Sequence, residues 1–100
     1  MEEVFKIWFL FLGLWGLVNN AGVAGRRGRI EWQKVDDYKF VNSVNLYGLI
    51  DMTMTFLPLI KKERGRIVNM SSMGGRVALL DGVPYSVSKY AVEGFSDSLR

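Results

Sequence analysis

The sequence predicts an α/β fold, a strand–helix–strand–helix piece of a doubly wound parallel sheet. Three observations predict it. Residues 14–19 (LWGLVN) form a continuous apolar run without alternation, as a strand covered on both faces does. Residues 66–71 (RIVNMS) form a second short run, β-branched at its centre. Long helical patterns follow each run, and strands separated by helices pair as right-handed parallel crossovers.

The elements follow in order. Residues 4–18 (VFKIWFLFLGLWGLV) are apolar apart from Lys6, yet fall short of the ~20 residues of a membrane-spanning helix. Glu2 and Glu3 stand where a signal peptide carries positive charge. We read residues 1–13 as an apolar lead-in and 14–19 as a buried strand; a membrane-associating segment is the alternative. Residues 21–29 hold Gly22, Gly25 and Gly28 and form a loop. Its Arg26, Arg27 and Arg29 read as a solvated turn, the runner-up being a phosphate or an acidic partner. No aromatic residues interleave with them, so no nucleic acid is expected.

Asp36 and Asp37 sit where helix-starting acids belong. The helix runs over 38–62, with Leu46, Ile50, Thr53, Leu57 and Ile60 as its apolar stripe and Pro58 expected to kink or shorten its last turns. Lys61-Lys62-Glu63-Arg64-Gly65 is a charged stop, with Gly65 as the C-cap. After the second strand, residues 72–84 form a glycine-containing loop, and a second helix starts at Tyr85. Two helices that cross the same way cover mainly one sheet face, so residues 14–100 read as the middle of a larger α/β domain.

Composition narrows the chemistry. The chain of 100 residues is 49% hydrophobic and 23% charged, with a net charge of +3. It contains no Cys and no His, which excludes a Ser-His-Asp triad, a thiolate nucleophile and a His- or Cys-ligated metal. Tyr, Lys, Ser, Thr, Asn and the carboxylates remain.

Tyr85 and Lys89 lie four apart and share one helix face. A phenol in water ionises near ~10, too high for a base at neutral pH, and a nearby ammonium favours the phenolate. Ser71 and Ser72 end the second strand, at the sheet edge where open α/β sheets bind ligands. A hydroxyl there can hold a substrate oxygen while the tyrosine moves a proton. Asn19-Asn20-Ala21-Gly22 closes the first strand at the same edge, and Asn45 lies in the long helix. Taken singly, these are an Asx/Gly turn and an exposed helical Asn. Asn69-Met70-Ser71 fits a glycosylation sequon but falls inside a strand, so Asn69 reads as structural. Met52, Met54, Met70 and Met73 read as core or pocket filler.

In series, these features resemble the classical short-chain dehydrogenase/reductase family. The resemblance is strongest in LVNNAG, VNLYG, GRIVNMSS and YSVSKYAVEGFSDSLR, and is nearest the retinol and hydroxysteroid dehydrogenase branch. It implies a partial Rossmann-type fold and an NAD- or NADP-dependent enzyme, NAD being favoured, that interconverts an alcohol and a carbonyl. Tyr85 would be the acid/base. Lys89 would favour its phenolate and bond the nicotinamide ribose. Ser72 would polarise the substrate oxygen, and Asn45 would hold a water in a proton relay. Asn19, Ala21 and Gly22 would line the cofactor cleft. The substrate would be a small hydrophobic alcohol or carbonyl, a retinoid or steroid, which Val77, Ala78, Leu79, Leu80 and Val83 suit. The full-length form would be a homodimer or tetramer, intracellular, with the endoplasmic reticulum membrane as one setting.

Three features of the family have no counterpart in this sequence. Nothing before Leu14 supplies G-x-x-x-G-x-G, and the residue that sorts NAD from NADP has no counterpart. The segment that closes over substrate is absent too. Without the pyrophosphate anchor, this chain alone is expected to bind cofactor weakly and turn over negligibly. The alternative function is a catalytically silent partner that pairs with a full-length relative through its two helices.

Overall fold

The computed structural model describes residues 14–100. The apolar lead-in of residues 1–13, and with it most of the membrane-associating reading, lies outside the described residues. Four main elements follow: β1 (Gly16–Asn19), α1 (Val35–Lys62), β2 (Arg66–Asn69) and α2 (Val83–Ser98). Single 3-10 turns at Ile30–Trp32 and Met73–Gly75 punctuate the two loops.

β1 and β2 pair in parallel, Gly16 opposite Arg66 and Asn19 opposite Asn69. Each strand is shorter than the sequence suggests, but one more bond extends the ladder at each end. Arg66 donates to the Trp15 carbonyl at 2.9 Å and Met70 to the Asn19 carbonyl at 3.0 Å. The strand period of two sorts the side chains. Leu17 and Ile67 face α1 and pack with Leu14 and Met52 against Phe56, Leu59 and Ile60. Val18 and Val68, opposite each other in register, lie on the other face and are 63% and 48% exposed. Among the described residues, then, one face of the sheet is covered, the face on which the β1–α1–β2 crossover places its helix.

α1 begins three residues earlier than the sequence pattern suggests. The Asp37 carboxylate accepts from the Lys34 N–H at 2.7 Å, so the first turn is closed by its own acid. The helix is regular over Val35–Asn42, widens into a π segment over Ser43–Gly48, and is regular again over Leu49–Lys62. Its buried side is Val41, Asn45, Leu49, Thr53, Phe56, Leu59 and Ile60. The predicted stripe of Leu46, Ile50 and Leu57 is thus displaced by one position, and these three are only partly buried. The π segment explains the displacement. Three successive four-residue steps would overshoot a regular helix by about 40° each, and the wider i→i+5 turn takes up the excess.

Pro58 does not end the helix, which continues to Lys62. The carbonyl deprived of its partner belongs to Met54, which is exposed to water. The stop itself is a Schellman motif: the Gly65 N–H reaches the Ile60 carbonyl at 2.8 Å, and Arg64 reaches Lys61 at 3.2 Å. The left-handed residue is therefore Arg64, with φ 52°, and not Gly65. Gly65 serves the next step, because a Cβ there would lie 2.7 Å from the carbonyl carbon of Trp15, just before β1.

α2 packs against the first half of α1 and the Met73–Gly75 turn. Val41 and Val92 are fully buried in that seam. Pro84 falls in the first turn of α2, where its missing N–H costs nothing. Among the described residues α1 alone is long and apolar enough, by length and composition, to cross a bilayer; here its buried side packs on the strands and on α2. Met52 packs on the core as expected, whereas Met54 and Met73 are exposed and fill nothing.

Candidate active site

The carboxyl ends of β1 and β2, the loop after β1 and the first turns of α2 meet around an open cavity of about 700 Å³. Gly22, Val23, Met70, Ser72, Tyr85 and Lys89 are among the residues that line it. Topology is the reason: the two strands are parallel and end at the same sheet edge, so the loops that follow them gather there.

α2 supplies Tyr85 and Lys89 one turn apart. The Lys89 Nζ lies 5.6 Å from the centre of the Tyr85 ring. Lys89 is only 5% exposed, and its ammonium donates to the Met70 carbonyl at 3.1 Å. That carbonyl is just beyond β2, so the end of the strand fixes the lysine. Two further ammonium donors remain for a ligand in the cavity the lysine lines.

Ser72 opens the Met73–Gly75 turn. Its Oγ accepts from the Gly74 N–H at 3.0 Å, which orients the hydroxyl and leaves its proton for another acceptor. Among the described residues, the Oγ of the neighbouring Ser71 is buried without a hydrogen-bond partner.

Asn45 sits inside the π segment and is 1% exposed. Its Oδ1 accepts from the Val23 N–H at 2.7 Å, and its Nδ2 donates to the Val23 carbonyl at 2.9 Å and to Ser88 Oγ at 3.0 Å. Ser88 in turn donates to the Tyr85 carbonyl at 2.7 Å. One chain of side chains thus ties the loop after β1 to the turn that carries Tyr85. Among the described residues the Asn45 amide is engaged by Val23 and Ser88. Sequence reasoning missed Ser88. The available signal was a serine three residues after Tyr85, at the spacing that lets a hydroxyl bond back to a helix carbonyl.

Asn19 and Ala21 do not line the cavity, whereas Gly22 and Asn20 do. Asn19 is buried on the α1 side of the sheet, where its Nδ2 donates to Thr53 Oγ1 at 3.1 Å and to Asn69 Oδ1 at 2.8 Å. Asn69 completes the line by donating to Ser96 Oγ of α2 at 2.9 Å. Four side chains therefore cross the sheet edge from α1 to α2. They explain why Asn69 is structural.

A Cβ on Gly22 would lie 3.5 Å from Asn45 Oδ1 and 3.8 Å from Lys89 Nζ, so the glycine keeps the cavity open beside the lysine donors. Arg27 and Asp81 stand on the cavity wall, and the Gly28 N–H donates to the Asp81 carbonyl at 2.9 Å, joining the two loops there. Arg26 and Arg29 are exposed, Arg29 over the Trp32 ring at 5.9 Å. Leu79 lines the cavity, whereas Leu80 is 93% exposed. No cluster of metal-ligating side chains occurs among the described residues.

The sequence matches the profile of the short chain dehydrogenase family over residues 2–100. It is 59% identical over 88 residues to dehydrogenase/reductase SDR family member 9 of Bos taurus, covering 88% of this chain and 27% of the relative. Retinol dehydrogenase 16 of Mus musculus is 57% identical over 88 residues, again 88% of this chain and 27% of the relative. The chain thus spans about a quarter of the length of these relatives. Among solved structures, serine dehydrogenase from Escherichia coli superposes with a TM-score of 0.84 at 28% identity, covering 100% of this chain and 49% of that one. A short chain dehydrogenase from Escherichia coli CFT073 complexed with NADPH also has a TM-score of 0.84 at 28% identity, covering 99% and 44%. Fold and relatives agree: the chain is a partial Rossmann-type α/β piece and belongs to the short chain dehydrogenase family.

Proposed function

We propose that this chain carries the proton-transfer centre of a nicotinamide-dependent dehydrogenase that interconverts a hydrophobic alcohol and its carbonyl. The observation that carries the reading is the arrangement of Tyr85 and Lys89 one helical turn apart on a cavity also lined by Ser72. In alcohol oxidation the Tyr85 phenolate takes the hydroxyl proton as the carbonyl forms; in reduction the phenol returns it. The Ser72 hydroxyl donates to the same substrate oxygen and holds it at the tyrosine. The Lys89 ammonium, held by the Met70 carbonyl, would donate to the ribose hydroxyls. Asn45 holds Val23, and through Ser88 the Tyr85 turn, in place. When bound, a nicotinamide supplies the hydride acceptor or donor. NAD is the cofactor we favour over NADP.

The substrate class rests on two supports. Relatives include retinol dehydrogenase 16 and 17-beta-hydroxysteroid dehydrogenase type 6. The cavity wall is apolar at Val23, Ala24, Met70 and Leu79. A retinoid or steroid alcohol suits both. The test grafts residues 14–100 into mouse retinol dehydrogenase 16 in place of the matching segment and follows nicotinamide absorbance with retinol or a hydroxysteroid. Tyr85→Phe is expected to lower kcat by about 10²-fold or more, the usual worth of a positioned acid/base, with cofactor affinity kept within about threefold. Turnover indifferent to that change would overturn the assignment.

A second reading has its own observation. Phe40, Tyr47 and Met54 of α1 and Tyr90 of α2 are exposed, apolar and on the two helices that would pair with another subunit. A silent partner of a full-length relative would use that surface. Co-purification with the relative and no turnover would favour it.

A further inference from the structure

We infer that Gly75 is a positioning residue, which sets the distance between the Ser72 turn and the α2 turn carrying Lys89. The inference rests on the proposed function for its catalytic consequence and on geometry for the rest. Gly75 is buried where the Met73–Gly75 turn meets α2. A Cβ there would lie 2.7 Å from Ser71 Oγ, 3.0 Å from the Lys89 carbonyl oxygen and 3.2 Å from Glu93 Cγ. Two of these neighbours give little: the Lys89 oxygen is helix backbone, and Ser71 Oγ is buried on a one-atom arm. The turn rests on α2 as closely as it does because residue 75 has no side chain.

Lys89 grips the segment at both ends. Its ammonium bonds the Met70 carbonyl at 3.1 Å, and its own carbonyl abuts Gly75. Ser72 lies between those two points. Within the turn, the Gly75 N–H donates to the Ser72 carbonyl at 2.9 Å and the Gly74 N–H to Ser72 Oγ at 3.0 Å. A methyl group at 75 lifts one end of the span while the other stays tied to Nζ, so the Ser72 hydroxyl moves relative to Lys89 and Tyr85. Gly74 is unlike Gly75 in this respect. The three atoms nearest its hypothetical Cβ are all of side chains, of Leu79 and Tyr85 at 3.3 Å and of Ser72 at 3.4 Å.

The test has two arms. In the ¹⁵N-labelled chain, Gly75→Ala is expected to shift the Gly74 amide and Lys89 ammonium resonances and to raise Gly74 amide exchange at least tenfold. The amides of Val18 and Phe56, across the sheet and core, stay unshifted. The double variant Ser71→Ala/Gly75→Ala removes the nearest obstacle and is expected to recover part of the Gly74 protection. In the grafted full-length dehydrogenase, Gly75→Ala is expected to lower kcat by 10- to 100-fold with KM for the cofactor within threefold, in line with the cost of a misplaced reacting group. An unshifted Gly74 amide, or a double variant no better than the single, overturns the geometry. A displaced turn with unchanged kcat in an active graft overturns the positioning role. A graft that is inactive with Gly75 in place counts against the proposed function, and the resonance arm still decides the geometry. Gly94→Ala is the control, because a Cβ there meets nothing within 4 Å.

Discussion

Removing the Asn45 side chain tests the tie between the loop after β1 and the helices. Asn45→Ala deletes three hydrogen bonds, two to Val23 and one to Ser88, at a site 1% exposed. The two Val23 backbone groups lose their partners together. An unpaired buried group costs about 1–3 kcal/mol, and Val23 is half-buried, so water recovers part of that. With a small cavity added, the total is about 3 kcal/mol. For a urea slope of about 1.5 kcal/mol/M, the unfolding midpoint falls by about 2 M. Far-UV circular dichroism follows the midpoint, and hydrogen exchange at the Val23 amide follows the local effect. Val23 protection is expected to drop to that of an open loop. A midpoint shift under 0.5 M with Val23 still protected would mean that the loop is held by something other than this amide.

Two further outcomes concern the sheet edge and α2. The Asn19–Asn69 pair, at 2.8 Å and in register across the strands, is expected to show a coupling of about 1 kcal/mol in a urea double-mutant cycle of Asn19→Ala and Asn69→Ala; coupling under 0.3 kcal/mol would leave the pair no role in register. Gly94→Ala, in the interior of α2 with open space around it, is expected to raise stability by about 0.5–1 kcal/mol in the same assay, and a loss of stability would contradict the space assigned to it.

Much of this architecture was legible because the deciding signals are local. A continuous apolar run, a glycine loop and acids before a helical stripe each fix their own element, so both strands and both helices fall where the patterns place them. The left-handed residue at the end of α1 was misplaced by one because glycine is the usual C′ residue, and here Arg64 holds it while Gly65 makes room for Trp15. The displaced stripe has a deeper cause. Nothing in Ser43–Gly48 announces a π turn, since it exists to keep Asn45 and Leu49 on the same side as Val41 while Asn45 bonds a loop 22 residues earlier in the chain.

That last point separates what residue types reveal from what they do not. Tyr85, Lys89 and Ser72 are recognisable because their chemistry is unusual for their places: a phenol and an amine on one helix face, a hydroxyl at a strand end. Ser88, Gly75 and the Asn19–Asn69 line carry no unusual chemistry. Their roles arise only when elements meet, through an amide reaching two helices or a missing methyl against a carbonyl. The same buried face that hides these roles makes them consequential. Lys89, with its ammonium on Met70 and its carbonyl against Gly75, would belong, under the proposed function, at once to the chemistry and to the packing that aims it. A substitution such as Lys89→Met therefore removes two things, and its effect on turnover does not report the ammonium alone. Gly75→Ala removes none of the groups the proposed function uses and changes only where they stand, so it measures the share of the proposed turnover that placement supplies.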